Sequence, residues 1–145
     1  MDILKRNTDY SLRALINLAQ HYNDGLQSTR KVSEQQKIPY SLACKLMQRL
    51  HKAKLVESVM GPKGGFRLSK SPVKINLLEA VEAIQGPISL NRCLLGDLKC
   101  SLKERCPLHP KLSELQKRLE EYLSGISLAD LLKKDRDIRL EESKE

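Results

Sequence analysis

Aromatic side chains are nearly missing from this 145-residue chain: it has no tryptophan, one phenylalanine and four tyrosines. Any core must then be assembled from leucine, isoleucine, valine and alanine, and the leucine-rich periodic segments point to a mainly α protein. Long apolar runs are lacking too. None approaches the roughly 18 residues of a membrane-crossing helix, and nothing at the N-terminus reads as a secretory signal, so a cytoplasmic setting without a membrane partner is expected. Disulfides rarely persist there, which leaves the four cysteines to be explained otherwise. No Gly-rich nucleotide fingerprint or paired-carboxylate motif stands out, and no cysteine has an evident partnered base, so nothing marks an enzyme. Acidic residues are outnumbered: 26 Lys and Arg against 18 Asp and Glu give a formal charge of +8 and a pI near 9.4. That excess favours an anionic partner, nucleic acid before membrane surface.

What the chain does have is a concentration of soft ligands. Cys93, Cys100 and Cys106 fall within fourteen residues that also contain Gly96 and Pro107, and His109 follows closely. Thiolates favour zinc, copper(I) and iron–sulfur clusters, whereas magnesium or calcium would require carboxylates that this stretch lacks. Structural zinc usually relies on close Cys-x2-4-Cys pairs. Here the gaps are six and then five residues, and only Cys106 and His109 are close. Wide gaps suit a cluster wrapped by a loop, although they do not match the short spacings of bacterial ferredoxins. Zinc, and thiols without any metal, stay as alternatives.

Upstream, Leu12, Leu15, Ile16, Leu18 and Ala19 recur at helical spacing from Thr8 to about Tyr22, with Thr8 or Asp9 placed to cap the start. A second helix is expected from about Thr29 to Gln36 around Val32. A third runs from about Pro39 or Tyr40 to Ala53, with Pro39 suited to the first helical position. Its Leu42, Ala43, Leu46, Leu50 and Ala53 share one side, while Ser41, Cys44, Lys45, Gln48 and Lys52 share the other. Residues 55–60 and 66–69 read as strands around the turn Gly61-Pro62-Lys63-Gly64-Gly65. That order is a winged helix-turn-helix with a β-hairpin wing. Its later helix would enter a major groove, and Lys63 would meet phosphate or the minor groove. The missing Ser or Thr after Lys63, and the missing strand-to-helix context, rule out a phosphate-binding P-loop.

A fourth helix is expected from Ile75 to Ile84, closed by Gly86-Pro87. After the cysteines, Leu112, Leu115, Leu119 and Tyr122 are spaced three, four, three, as along a heptad seam. That stripe could pack on its own domain or pair with a twin. Ser127 would cap a short helix to Leu132. The organisation expected is a DNA-binding domain over 1–85, a cluster-binding loop over 86–110, a dimerisation helix and C-terminal helix over 111–134, and a charged, disordered tail over 135–145.

Taken together these segments resemble the winged-helix iron–sulfur transcription regulators that include IscR, NsrR and RirA. The likeness runs in order from Asn7-Thr8-Asp9-Tyr10-Ser11-Leu12-Arg13, through Gly61-Pro62-Lys63-Gly64-Gly65-Phe66-Arg67-Leu68 and the three cysteines, to Ile126-Ser127-Leu128-Ala129-Asp130-Leu131. The resemblance implies a homodimer in which the helix after the loop pairs with its twin and each subunit grips half of a pseudo-palindromic double-stranded DNA operator. It further implies an iron–sulfur cluster on Cys93, Cys100 and Cys106 that reports iron, oxygen, nitric oxide or redox state. The fourth ligand has two candidates. Cys106-Pro107-Leu108-His109 is similar to the Cys-x2-His ending of IscR, a two-iron protein, whereas Asp9 matches the aspartate that NsrR lends from the opposite subunit to a four-iron cluster. Asp9 could otherwise be a helix cap, and His109 a surface residue beside two prolines. On this reading Ser41, Lys45 and Gln48 face base edges and Arg30, Lys31, Lys52 and Lys63 neutralise phosphates, with Tyr40 and Gly64 on the same surface. The chain departs from IscR in its longer first gap, in Cys44 where IscR has a base-reading glutamate, and in Met60 where IscR has a wing arginine. A zinc-stabilised or cluster-free regulator, and a small electron-transfer protein, are the competing assignments. Cys44, remote in sequence from the loop, is not counted as a ligand; oxidation there would block DNA contact only if the thiol were exposed and reactive.

Overall fold

The computed structural model describes residues 2–95 and 100–133. Met1, residues 96–99 and the charged segment expected to form the tail lie outside the described residues. In chain order come α1 (Arg6–Gln20), α2 (Thr29–Gln36), α3 (Tyr40–Lys52), β1 (Val56–Val59), β2 (Gly65–Leu68), α4 (Leu77–Gln85) and α5 (Leu108–Ser124), followed by a helical turn over 128–133. Short 3-10 turns lie at Pro72–Lys74 and Arg92–Leu94. This is the mainly helical winged fold that the periodicity predicts.

The apolar stripe of α1 forms the centre of the packing. Leu12, Leu15, Leu18 and Ala19 are buried together with Val32 of α2, Ala43, Met47 and Leu50 of α3, Phe66 and Leu68 of β2, and Ala80, Val81 and Ile84 of α4. At roughly 1.5–3 kcal/mol for each fully buried aliphatic side chain, this shared face holds the helices more firmly than their intrinsic propensities could. Leu128 is buried in the same core, and a backbone bridge joins Ser127 to Asn76, so the chain returns to that core after α5.

The start of α1 differs from expectation. Neither Thr8 nor Asp9 caps it; the N-cap is Lys5, which offers no side-chain acceptor. Gln85, at the end of α4, takes over that role. Its side-chain oxygen accepts from the Lys5 N–H (3.1 Å) and the Thr8 hydroxyl (2.7 Å), and its amide donates to the Ile3 carbonyl (3.0 Å). A cap supplied by a residue about eighty positions away leaves no local sequence signal. Ala53 is likewise corrected: it is the exposed C-cap of α3, and Met47, on the same buried side as Ala43 and Leu50, fills the core instead. Pro39 is the N-cap rather than the first helical residue.

Ser127 caps as expected, and two further caps are local. Ser28 accepts from the Lys31 N–H, Asn76 and Glu79 form a capping box, and Ser127 and Asp130 exchange backbone-to-side-chain hydrogen bonds. The hydrogen bonds from Ser127, chiefly its backbone N–H, hold the Asp130 carboxyl below the usual carboxylate range. That contribution is complete above the ordinary value and fades as pH falls through the lowered one.

The wing is a two-stranded antiparallel hairpin in the register Val56↔Leu68, Glu57↔Arg67, Ser58↔Phe66, Val59↔Gly65. Glu57 and Arg67, paired across it, lie 2.9 Å apart. A third backbone segment, not legible in the sequence, joins it: Gln27 and Phe66 exchange both N–H···O bonds, at 2.9 and 2.8 Å. The hairpin is thereby tied to the link between α1 and α2. A Cβ on Gly65 would meet the Gln27 carbonyl oxygen at 2.5 Å, and one on Gly64 the Val59 carbonyl oxygen at 2.0 Å, so both positions require glycine.

Two stability outcomes follow. Gln85→Ala leaves the buried Thr8 hydroxyl without its partner and strips the α1 cap, and is expected to cost about 1–3 kcal/mol in urea unfolding. Gly65→Ala, which must push the hairpin off Gln27, is expected to cost about 1–3 kcal/mol, with the loss of slow-exchanging amides at Gln27 and Phe66 as its local signature.

Candidate nucleic-acid interface and cysteine loop

Because α3 buries Ala43, Leu46, Met47 and Leu50, its opposite side must face outward. Ser41, Lys45, Gln48 and Lys52 are all exposed there, and Cys44 is half-buried. None of these four polar side chains is engaged by another group of the described protein, which leaves their donors and acceptors available. Arg30 lies over the ring of Tyr40, with its guanidinium carbon 4.6 Å from the ring centroid. This cation–π contact ties the middle of the helix-turn-helix together and holds Arg30 at the head of α3. Lys31 and Lys63 are exposed, the latter at the wing tip. Gly64 belongs to the turn itself: its N–H donates to the Gly61 carbonyl (3.0 Å) and is not available to a phosphate. The wing also carries Met60, 90% exposed.

The cysteine segment is arranged differently. Cys93 sits in a 3-10 turn and is half-buried, Cys100 is exposed, and Cys106 is half-buried just before α5; all are free thiols. His109 is in the first turn of α5 and is half-buried, and its Nδ1 is fully enclosed with no hydrogen-bond partner. An enclosed ring nitrogen without a partner is costly unless something binds it, and imidazole beside thiolates is a donor set suited to a soft metal. Asp9 has another occupation: its carboxylate, 61% exposed, faces Arg13 at 3.6 Å. Among the described residues, no three His, Cys, Asp or Glu side chains come together as a metal-binding group.

Two residues that the sequence did not single out shape this loop. Asn91 caps the 3-10 turn and its amide approaches the Cys93 sulfur at 3.5 Å. From α5, Gln116 accepts from the Leu90 N–H (2.9 Å) and donates to the Ile88 carbonyl and to Glu120. The approach to Cys93 is thus bound to the long helix. An amide at an otherwise polar helical position gives no pattern from which this could be inferred. On α5 itself, Leu119 and Leu123 pack against the core, whereas Leu115 and Tyr122 stay 53% and 70% exposed. No helix among the described residues is long and apolar enough to cross a membrane.

Comparison with known proteins bears on this geometry. The chain is 38% identical over 123 residues to the ORF2 protein of Azotobacter vinelandii, provisionally named an HTH-type transcriptional regulator, covering 85% of this chain and 74% of that protein. It is 33% identical over 124 residues to the HTH-type transcriptional regulator IscR of Xenorhabdus nematophila, covering 86% and 75%. Among solved structures, IscR of T. potens superposes with a TM-score of 0.72 at 27% identity over 91% of this chain and 87% of that one. CymR, the global cysteine regulator of B. subtilis, shares the fold with a TM-score of 0.73 at 24% identity, over 90% and 96%. Residues 4–134 match the Rrf2 family, described as iron-dependent transcriptional regulators. With its winged helix-turn-helix and outward basic helix face, the chain belongs to the Rrf2 family: it is an IscR-like transcriptional regulator and not an enzyme.

Proposed function

We propose that this protein is a homodimeric DNA-binding regulator whose operator affinity is set by an iron–sulfur cluster. The observation that carries the DNA reading is the row Ser41, Lys45, Gln48 and Lys52 along the exposed side of α3, free of internal partners and flanked by Arg30 and Lys63. Base edges are read by Ser41, Lys45 and Gln48; the cations around them position the protein on phosphates. Tyr40 acts through Arg30. Two such faces must sit one helical turn of DNA apart, about 34–36 Å, or a multiple of that. The exposed Leu115 and Tyr122 on α5 support pairing of that helix with its twin.

Cys93, Cys100 and Cys106 are assigned as cluster ligands, with His109 as the fourth. The enclosed, partnerless Nδ1 favours His109 over Asp9, which already has Arg13. When bound, the cluster supplies a redox-active and labile iron centre. The chain's own contribution is to place Cys106 and His109 at the start of α5, Cys93 in the 3-10 turn and Cys100 in the loop and, through Gln116 and the Leu90 N–H, to connect that loop to the dimerisation helix. A cluster-free regulator is the second reading, favoured by the likeness in fold to CymR, which is named for cysteine regulation.

Three experiments test these assignments. On an operator selected from random duplexes, Gln48→Ala is expected to cost about 1–3 kcal/mol and relax preference at one base pair, while Lys63→Ala weakens all sequences alike and lowers the salt slope by about one. Anaerobically purified protein should contain iron and acid-labile sulfide with visible absorption, altered in His109→Ala and unchanged in Asp9→Ala; zinc without sulfide, or no metal, would remove the cluster. Sedimentation of Leu115→Glu/Tyr122→Glu should give a monomer, and a wild-type chain that is itself monomeric would end the dimer assignment.

A further inference from the structure

We propose that Lys5, Arg6 and Arg49 form a second DNA-backbone clamp beside the start of α1, next to the face that α3 presents to bases. This rests on the DNA-binding reading above and enlarges its footprint to phosphates flanking the half-site. A recess at the N-terminus of α1 is lined by these three cations together with Asn7 and Gln85, and no carboxylate contributes to its wall. A second recess adjoins it, sharing Asn7 and Arg49 and continuing along α3 to Lys45 and Gln48. Leu42, Cys44 and Leu46 make the wall of this second recess largely apolar, so what links the recognition side chains to α1 is the pair of cations bordering it, Lys45 and Arg49, with Arg49 common to both hollows.

The cations are not neutralised internally. Lys5, Lys45 and Arg49 are exposed, and none is ion-paired among the described residues. Arg6 is fixed rather than paired: its Nε and Nη2 donate to the Tyr10 hydroxyl at 3.1 and 2.9 Å, which leaves the rest of the guanidinium fork free. Of the two carboxylates near in sequence, Asp9 faces Arg13, and Asp2 lines an adjoining recess with Lys5 but is not ion-paired to it among the described residues. Three like charges around one hollow repel one another unless an anion enters. The backbone N–H groups of Arg6 and Asn7, which Gln85 does not reach, add to the positive field. Gln85 sets the geometry, since it ties the Lys5 backbone to the end of α4. Double-stranded DNA presents closely spaced phosphates along such a surface, and the shared wall with α3 selects it over a free anion.

The test is binding of the full-length protein to its selected operator and to a scrambled duplex, titrated across about 50–200 mM salt. Arg49→Ala should reduce the slope of log affinity against log salt by about 0.9, and Lys5→Ala/Arg6→Ala by about 1.8; each lost contact should weaken both duplexes by the same factor, roughly five- to tenfold near 0.1 M salt. Arg49→Lys should keep the slope. If Arg49→Ala fails to fold by circular dichroism, the Lys5/Arg6 pair, on the exposed start of α1, carries the test. Unchanged slopes, or a loss confined to one operator sequence, would overturn the clamp while leaving DNA binding intact. Competition by inorganic phosphate beyond that of chloride at equal ionic strength, lost in the variants, would instead make the hollow a free-anion site. A wild-type protein that binds no duplex would remove both readings.

Discussion

The exclusion of water from one stripe of α1 decides where everything else can go. Leu12, Leu15, Leu18 and Ala19 need partners over the length of the helix, and α2, α3, α4 and the second wing strand all supply them. Once α3 has committed Ala43, Met47 and Leu50 to that stripe, its helical period leaves Ser41, Lys45, Gln48 and Lys52 no position except outward. The recognition face is thus a geometric remainder of the core. Its chemistry is free to vary, because the side chains that fix the position of the helix are different ones.

Pinned ends make this arrangement definite. Gln85 fastens the start of α1 to the end of α4, and Arg13, midway along α1, donates to the Gln36 carbonyl at the end of α2. The link between α1 and α2 is held in turn by the wing through Gln27 and Phe66. A hairpin of two short strands is marginal by itself. Joined to a third backbone segment and closed by the buried Phe66 and Leu68, it can carry Lys63 at a fixed offset from α3.

Periodicity made the helices and the wing legible, because each of their signals is local: apolar spacing, a capping serine at Ser127, and a Gly-rich turn between strands. The bounds of α2 were read around Val32, and the outward face of α3 from the angle between its residues. What remained hidden was nonlocal. The cap on α1 comes from Gln85, the third wing segment from Gln27, and the brace on the cysteine loop from Gln116; three glutamines with no pattern around them. Ala53 was misassigned because the helical wheel was carried one residue beyond the end of α3. The cysteines were conspicuous by type and spacing, but the surroundings of His109 and Asp9 were not, because the enclosed, partnerless nitrogen of His109 and the pairing of Asp9 with Arg13 depend on packing.

The same glutamines bear on how a signal at the loop would travel. A ligand acts at a distance only by favouring one of two arrangements of some element, so a bound loop must change what α5 or α4 can do. Gln116 holds the backbone at Ile88 and Leu90 to α5, and α5 packs on α4. At the other end of α4, Gln85 holds the start of α1, and that start lies beside Arg49 on α3. Every step in this route is a hydrogen bond or a packed face rather than a flexible tether. Loosening the cysteine loop would therefore act on α5 first, while the buried stripe of α1 keeps the winged helix-turn-helix intact. A change at the loop on these terms alters what α5 packs against, not the fold around α1.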